Sequence, residues 1–581
     1  MRSRNILHLC AGFFNVNLWL AIAVFALTLL IHGPLNFKTN LLPRDDRWLT
    51  LPLRDVHSIG DWWALIRSAS IPDFQPVRDL SYWFDWQLAR LMGQEPMFHM
   101  TNYVLWCLIL FFTWRVALSA FSDLDESPNK KQLWPALVLV TTAIHPVAVE
   151  PVAWISGRKH LLSVLFILFA TLVWLRSVKS RRFTFLNLIQ VAAAYLIACL
   201  SQPINVLWPV WAIVIFFAQK ERKWWRLCRF KLVLLLGFLV AVSVMTFMLN
   251  MTVYQGKAWL GFLLTPHANV YGRKLDGIRL DEVILSLLAM GRYLFNFFLP
   301  VKIAHRYSPG SWANVAGLLT APLLIWLALK VDFRQRKLLA KLPHARILLW
   351  GLHALLPVLV VTVQLSQIFV ADSYALSALP ALMIASALLA QSFGMGWRRL
   401  RFLFFCVWGM MLAGSMAIAR SWMSVETMWL RSNAVEETPD SLYFTGGFLL
   451  NSGKHEEAMR HAVKLLEISG RNTKSIRLLA FVICDNPAFS IDQKIRNLKL
   501  EGISETPPAL DCLSGLLEKS GDRRGALELL LRVADEAPAY FKGEAVDGFT
   551  RLEQNCAVVP DMTEKCQGAR RRLGVDMNDF H

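Results

Sequence analysis

The chain has 581 residues, of which 55% are hydrophobic, and it carries a formal net charge of +19 at pH 7. Apolar windows repeatedly reach the roughly 20 residues that cross a bilayer, which excludes a soluble globular domain and a disordered chain. The positive charge falls in short clusters between those windows, so it reads as a topology signal and not as a nucleic-acid surface.

Apolar segments are predicted near 17–35, 99–120, 134–152, 161–175, 184–200, 204–218, 232–253, 283–300, 312–329, 347–366, 374–392 and 402–419. The first starts late, runs long and has no small-residue cleavage site after it, so it is read as a span and not as a signal peptide. The loop that follows, 36–98, is long for a membrane protein. It holds Trp48, Trp62, Trp63, Tyr82, Trp83 and Trp86, a density that suits amphipathic helices lying in the membrane interface. It also holds Asp45 and Asp46. Paired carboxylates beside a membrane serve as a general base or bind a cation; the plainer reading is a solvated turn with Arg44 and Arg47 as ion partners.

Residues 145–162, HPVAVEPVAWISGRKHLL, lie between two apolar runs. Ionisable groups at the membrane edge usually face a cavity or a substrate path. Pro146, Pro151 and Gly157 favour a shaped turn that presents His145, Glu150, Arg158 and Lys159, against the alternative of a solvated loop.

Basic clusters follow the apolar segments at 176–182, 220–231, 330–346 and 398–401, with Arg2 and Arg4 before the first. Their surplus equals the net charge of the chain, and the positive-inside rule places them on the cytoplasmic side. Three apolar segments separate the clusters at 220–231 and 330–346, and an odd number cannot return the chain to the same side. The weakest is 283–300, interrupted by Arg292 and Asn296 and ending at Pro300, so it is expected to be re-entrant or interfacial on the outer side. The expected architecture is all-α: a membrane bundle of about eleven spans over 1–420, followed by a polar helical domain over 421–581. The loops 36–98 and 145–160 and the C-terminal domain are expected on the outer face.

In that domain, Gly521 and Ala526 follow Gly453 and Ala458 at twice the roughly 34-residue period of tetratricopeptide repeats. The unit between them is degenerate, with Pro487 and Asp492 at the matching positions. A short solenoid of this kind docks a protein or packs on the membrane domain. Cys484, Cys512, Cys556 and Cys566 are an even set in an oxidising compartment and are expected to form a disulfide, most simply Cys556–Cys566. No CxxC pair, HExxH or phosphate loop occurs in the sequence.

These residues resemble the transmembrane and tetratricopeptide-repeat O-mannosyltransferase family and its bacterial relatives, within the GT-C glycosyltransferases. The likeness runs in order along nearly the whole chain. Asp45–Asp46 match the family's DD, FQPVRDLSYWFD its RPLxxLS segment, and FHMTNYVLW its FHxxNxxLH. HPVAVEPVAWISGRKHLL is similar to HPxxxExVAWxxGRxDLL, the most specific match, and ADSYAL to the DRYLY segment. The chain departs from the pattern at Gln75, Trp106, His160 and Ser373.

The resemblance implies a GT-C-like membrane enzyme that moves a sugar from a polyprenyl-phosphate donor to a hydroxyl of an outer-face protein, with inversion. Asp45 or Asp46 is the expected base. Arg158 and Lys159, with Arg78 or Arg306, are expected to hold the donor phosphate. His145, Glu150, His99 and Tyr374 would shape the site. No metal or cofactor is required, since Arg and Lys can stabilise a phosphate leaving group. The expected partners are the lipid-linked donor, membrane lipid and an acceptor protein docked by 421–581. The expected setting is a bacterial inner membrane with the repeats in the periplasm, or the endoplasmic reticulum membrane in a eukaryote. The alternatives are a non-catalytic scaffold whose repeats recruit a partner, and a glycan ligase.

Overall fold

The computed structural model describes residues 2–36, 45–67, 75–122, 128–180, 182–217, 231, 233–246, 280–320, 343–364, 370–392, 397–500, 506–536 and 546–573. Every regular element among the described residues is helical. The chain forms two compact units, Met1–Arg431 and Ser432–His581. The basic residues at 220–229 and 330–341 lie outside the described residues.

The first unit opens with α1 (Arg2–Asn36), α2 (Asp45–Thr50), α3 (Ile59–Arg67), α4 (Pro76–Met92) and α5 (Phe98–Phe121). There follow α6 (Pro128–Ala143), the short α7 (Val149–Ala153), α8 (Arg158–Ser180), α9 (Phe185–Ser201) and α10 (Trp208–Phe217). Next are α11 (Val233–Thr246), α12 (Leu280–Phe298) and α13 (312–320). The unit closes with α14 (Pro343–Gln364), α15 (Asp372–Ala375), α16 (Leu379–Ser392), α17 (Trp397–Ser421) and α18 (Val425–Val435), which runs across its boundary.

Among the described residues, four helices are long and apolar enough to cross a membrane: Leu18–Leu35, Phe98–Phe121, Ile155–Ser180 and Phe404–Ser421. The pair Gln132–Ala143 and Pro146–Ala153, bent by 53° at its break, meets the same length and composition test only when taken together as one broken or re-entrant segment. Shorter apolar helices cover Phe185–Ser201, Pro203–Phe217, Val233–Thr246, Val283–Phe298, Arg346–Val361 and Leu379–Ser392. With α13, each apolar segment read from the sequence is mostly helical in its described part.

Helix α8 shows how the unit is polarised. It starts at Arg158 in a buried polar layer and ends in the basic stretch, where Lys179 donates to the hydroxyl of Ser122 (2.7 Å) just past the end of α5. Its 23 residues span about 34 Å at 1.5 Å per residue. The polar layer and this basic cluster therefore occupy opposite ends of the same helices. At α12, Arg292 and Asn296 face inward and bond to each other (3.1 Å). The residues that mark this segment as weak in the sequence are thus satisfied within the protein. Backbones of α12 and α13 meet at Gly291 and Gly317, where a Cβ on Gly317 would lie 1.7 Å from the Gly291 carbonyl. Only glycine permits that approach.

The second unit contains α19 (Pro439–Asn451), α20 (His455–Ser469), α21 (Thr473–Asp485), α22 (Ile491–Leu500), α23 (Pro507–Lys519), α24 (Arg523–Glu536), α25 (Val546–Val558) and α26 (Thr563–Leu573). The odd-numbered helices α19, α21 and α23 begin 34 residues apart, at 439, 473 and 507. Capping boxes set the first two starts, Thr438 with Ser441 and Asn472 with Ser475. Gly453 (φ 76°) and Gly521 (φ 91°) make the turns into α20 and α24, which need the left-handed region. Ala458 and Ala526 are fully buried, and the degenerate middle unit still forms a helical pair.

Cys484 of α21 is bonded to Cys512 of α23, and Cys556 of α25 to Cys566 of α26. The first bond lies in the core of the unit, among Leu479, Ala480 and Leu516. We expect four of the nine cysteines to resist alkylation in denatured, non-reduced protein and all nine to react after reduction. Intact-mass spectrometry checks this; nine adducts before reduction contradict it.

Candidate functional site

The buried polar layer is built from segments that lie between the apolar helices. Asp46, in α2, is fully buried. Its Oδ1 accepts from the backbone N–H of Ser156 (3.0 Å) and from the Ser156 hydroxyl (2.7 Å). Ser156 lies in the single turn Ile155–Gly157 that leads into α8. The turn closes because residue 157 has no side chain: a Cβ there would sit 2.5 Å from the Pro151 carbonyl oxygen. Gly157 therefore opens no space for a head group; the backbone of α7 fills it.

Arg158 follows, and its guanidinium is spent inside the protein. Nε donates to Asn102 Oδ1 (2.8 Å), Nη2 to the Phe98 carbonyl (2.8 Å), and Nη1 to Asp85 Oδ2 (2.5 Å) and the Ser81 carbonyl (3.3 Å). The Tyr82 ring lies 4.6 Å from the guanidinium carbon. This residue, expected to present a fork to phosphate, instead ties α4 and α5 to the start of α8. Asp85 also accepts from Thr101 (2.8 Å), and Asn102 donates to the Trp154 carbonyl (3.0 Å). The Tyr82 hydroxyl donates to the Ile155 carbonyl (2.8 Å), and burial raises its phenol above the usual range.

Arg78 is also buried and committed. Its Nε donates to Asp79 (2.7 Å) and its Nη1 to Gln75 Oε1 (3.1 Å). Gln75, a departure from the family pattern, thus acts as a partner of Arg78. His99 is buried on the first turn of α5. The Asp45 side chain lies outside the described residues.

A second set of polar groups adjoins α7. Glu150 is buried, with His305 Nδ1 at 3.4 Å and both Arg306 and Ser373 beside it. Trp154, Trp422 and Trp429 surround the His305 ring edge-to-face, at 6.1, 5.3 and 5.1 Å. Asp372, at the start of α15, accepts from Asn296 (2.8 Å) and from the Tyr307 hydroxyl. Arg292 lies 3.9 Å from the Tyr307 ring centre and donates to Ser311 (3.2 Å) and the Lys302 carbonyl (2.8 Å). Burial pushes the Asp372 carboxyl up to about 7, the charge of Glu150 adds to this, and the bonds from Tyr307 and Asn296 oppose it. His145 Nδ1 accepts from the Val147 N–H (3.3 Å), which leaves Nε2 as the donor to the Phe297 carbonyl (3.0 Å). Tyr374 meets His160 edge-on at 4.9 Å.

Of the residues singled out in the sequence, the structure gathers Asp46, Arg78, His99, His145, Glu150, Arg158, Arg306 and Tyr374 into elements that pack together at this end of the unit. Arg306 is the half-buried cation among them, and Lys159, also half-buried, follows Arg158 on α8. Sequence reasoning missed Asp85, Asn102, Asp372, Tyr307 and His305. Asp372 was within reach as the Asp of the ADSYAL segment, and Asn102 as the Asn of FHMTNYVLW; Asp85, Tyr307 and His305 had no local signal. Among the described residues no group of three or more His, Cys, Asp or Glu is placed to hold a metal ion. Comparisons with protein-family models, curated proteins and solved structures find no match.

Arg158→Ala would leave Asp85 buried without its cation and strip partners from Asn102 and the Phe98 carbonyl. Removing one member of a buried pair costs about 3–5 kcal/mol. The expected outcome is a marked fall in the thermal unfolding midpoint in detergent, partly restored in Arg158→Lys. An unchanged midpoint in the alanine variant shows that the pair does not hold the layer.

Proposed function

We propose that the chain is a membrane glycosyltransferase of the GT-C kind, moving a sugar from a polyprenyl-phosphate donor to a protein hydroxyl. The observation that carries the reading is the convergence of the segments expected on the outer face. Residues 46–62, 75–102, 145–158, 292–311 and 370–374 meet in one layer of charged groups at one end of the apolar helices. Such residues within a membrane domain mark a substrate path by default.

In this reading Asp46, or Asp45 beside it in the chain, takes the proton of the incoming hydroxyl. The new C–O bond forms at the anomeric carbon, the bond to phosphate breaks, and the phosphate leaves with its lipid. Ser156 fixes one oxygen of Asp46, so the base keeps one orientation without reorganisation. Arg158 and Arg78 are positioning residues, because their donors serve Asp85, Asp79, Asn102 and Gln75. The reading assigns the leaving phosphate to Lys159 and Arg306, both half-buried at this end of the unit. Asp372 stands beside the phosphate end of the site, where burial and the charge of Glu150 hold its carboxyl above the ordinary carboxylate range. The 34-residue helical pairs of the second unit suit a tetratricopeptide-like dock for the acceptor protein, and the reading places that unit in the periplasm or an equivalent outer compartment.

Asp46→Asn keeps the shape and an acceptor for Ser156 but removes the base. Transfer from a polyprenyl-linked sugar to acceptor protein is expected to fall by about 10²–10⁴-fold with the unfolding midpoint little changed. Wild-type turnover in the variant removes Asp46 as base. A parent protein that transfers no lipid-linked sugar while its repeats still bind a partner supports the scaffold reading instead.

A further inference from the structure

Helix α4 is built inside out. Its buried face carries Arg78, Asp79, Tyr82 and Asp85. Its outward face carries Phe84, Leu88, Leu91 and Met92, with Leu91 85% exposed and Phe84 58%. A helix at a water-facing surface shows the opposite pattern, with apolar residues toward the core and charges toward solvent. Helix α3 adds to the same kind of surface: Trp62 is buried while Ile59 and Trp63 point out.

We propose that the outward face of α4, with Ile59 and Trp63 of α3, is sunk among the acyl chains of the bilayer. The occupant is phospholipid, for two reasons. The face continues through exposed Met97 into α5, a helix long and apolar enough to cross a membrane, whose Val104, Leu108 and Phe111 also point outward. The one charged side chain at the exposed end of α4, Arg90, folds back to the Val56 carbonyl (3.1 Å). Helices with a broad apolar face settle about 5–10 Å into the boundary between head groups and chains.

The consequence is geometric. The charged face of α4 holds Arg158 through Asp85 and Ser81, and Arg158 directly follows the turn that holds Asp46. One helix thus meets lipid on one side and the polar layer on the other. The depth at which α4 rides in the bilayer sets the height of that layer relative to the head groups. A phosphate carried on a lipid would then meet the layer at a fixed level. The surface claim stands without the transferase reading, because it rests on which side chains α4 turns outward.

The test is photo-crosslinking in the full chain, reconstituted in nanodiscs of phosphatidylcholine and phosphatidylglycerol with radiolabelled phosphatidylcholine. A benzophenone amino acid is placed in turn at Phe84, Leu88 and Leu91, with exposed Ser452 of the second unit as the control. The expected result is several-fold more labelled lipid on the chain from the three α4 positions than from Ser452. Lipid labelling at the control level overturns the proposal. So does a crosslink to a second copy of the chain, seen as a band of twice the mass, because the face would then be a protein interface. Activity is not the readout, so failure here and failure of the transferase reading are separate results.

Discussion

A guanidinium removed from water must be surrounded by acceptors, and that requirement at Arg158 organises the polar end of the first unit. Its four hydrogen bonds reach Ser81 and Asp85 of α4 and Phe98 and Asn102 of α5. Those partners come from residues 81 to 102 of the chain, and Arg158 brings them to the start of α8. Burying a charge is costly unless it is paired and every donor is used. Once Arg158 is so held, the turn just before it is fixed. Ser156 in that turn then points its N–H and hydroxyl at Asp46, and Ile155 turns its carbonyl to Tyr82. A residue that touches no substrate in the proposal thereby decides where the proposed base can be.

The second polar set follows the same rule with different parts. Asp372 sits at the start of a four-residue helix and is tied to α12 through Asn296 and to the following loop through Tyr307. Arg292 supports both from behind. Long apolar helices supply the frame, and short elements between them supply the charged groups. The unit is therefore polar within and apolar without at this end, which is the arrangement expected where lipid is the surrounding solvent.

Much of the frame was legible in the sequence because it depends on local composition. Apolar run length gave the helices, and the repeat spacing in 421–581 gave pairs that start 34 residues apart. That residues 145–162 hold His145, Glu150 and Arg158 inside the protein and not in a solvated loop was legible too, from charge at the membrane edge. What each of those charges does was not. Arg158 looked like an open fork because Asp85 and Asn102 lie dozens of residues away in sequence, and only the fold brings them together. Gly157 was legible as part of a shaped turn, but the reason it must be glycine, the backbone of Pro151 packed against it, is tertiary. Arg292 and Asn296 were read as a weakness in a span because their partners, Lys302, Ser311 and Asp372, are tertiary. The same holds for Gly291 and Gly317, which meet across two helices and carry no motif.

The central claim is that one buried ion pair holds the polar layer, and a double-mutant cycle on Arg158 and Asp85 tests it most directly. Arg158→Met, Asp85→Leu and the double variant are compared with the parent by thermal unfolding in the same detergent. The account predicts strong non-additivity: each single change strands a buried charge, and the double change removes both, so it costs less than the two singles together. Simple additivity of the two losses would show that Arg158 and Asp85 act independently, and would contradict the account.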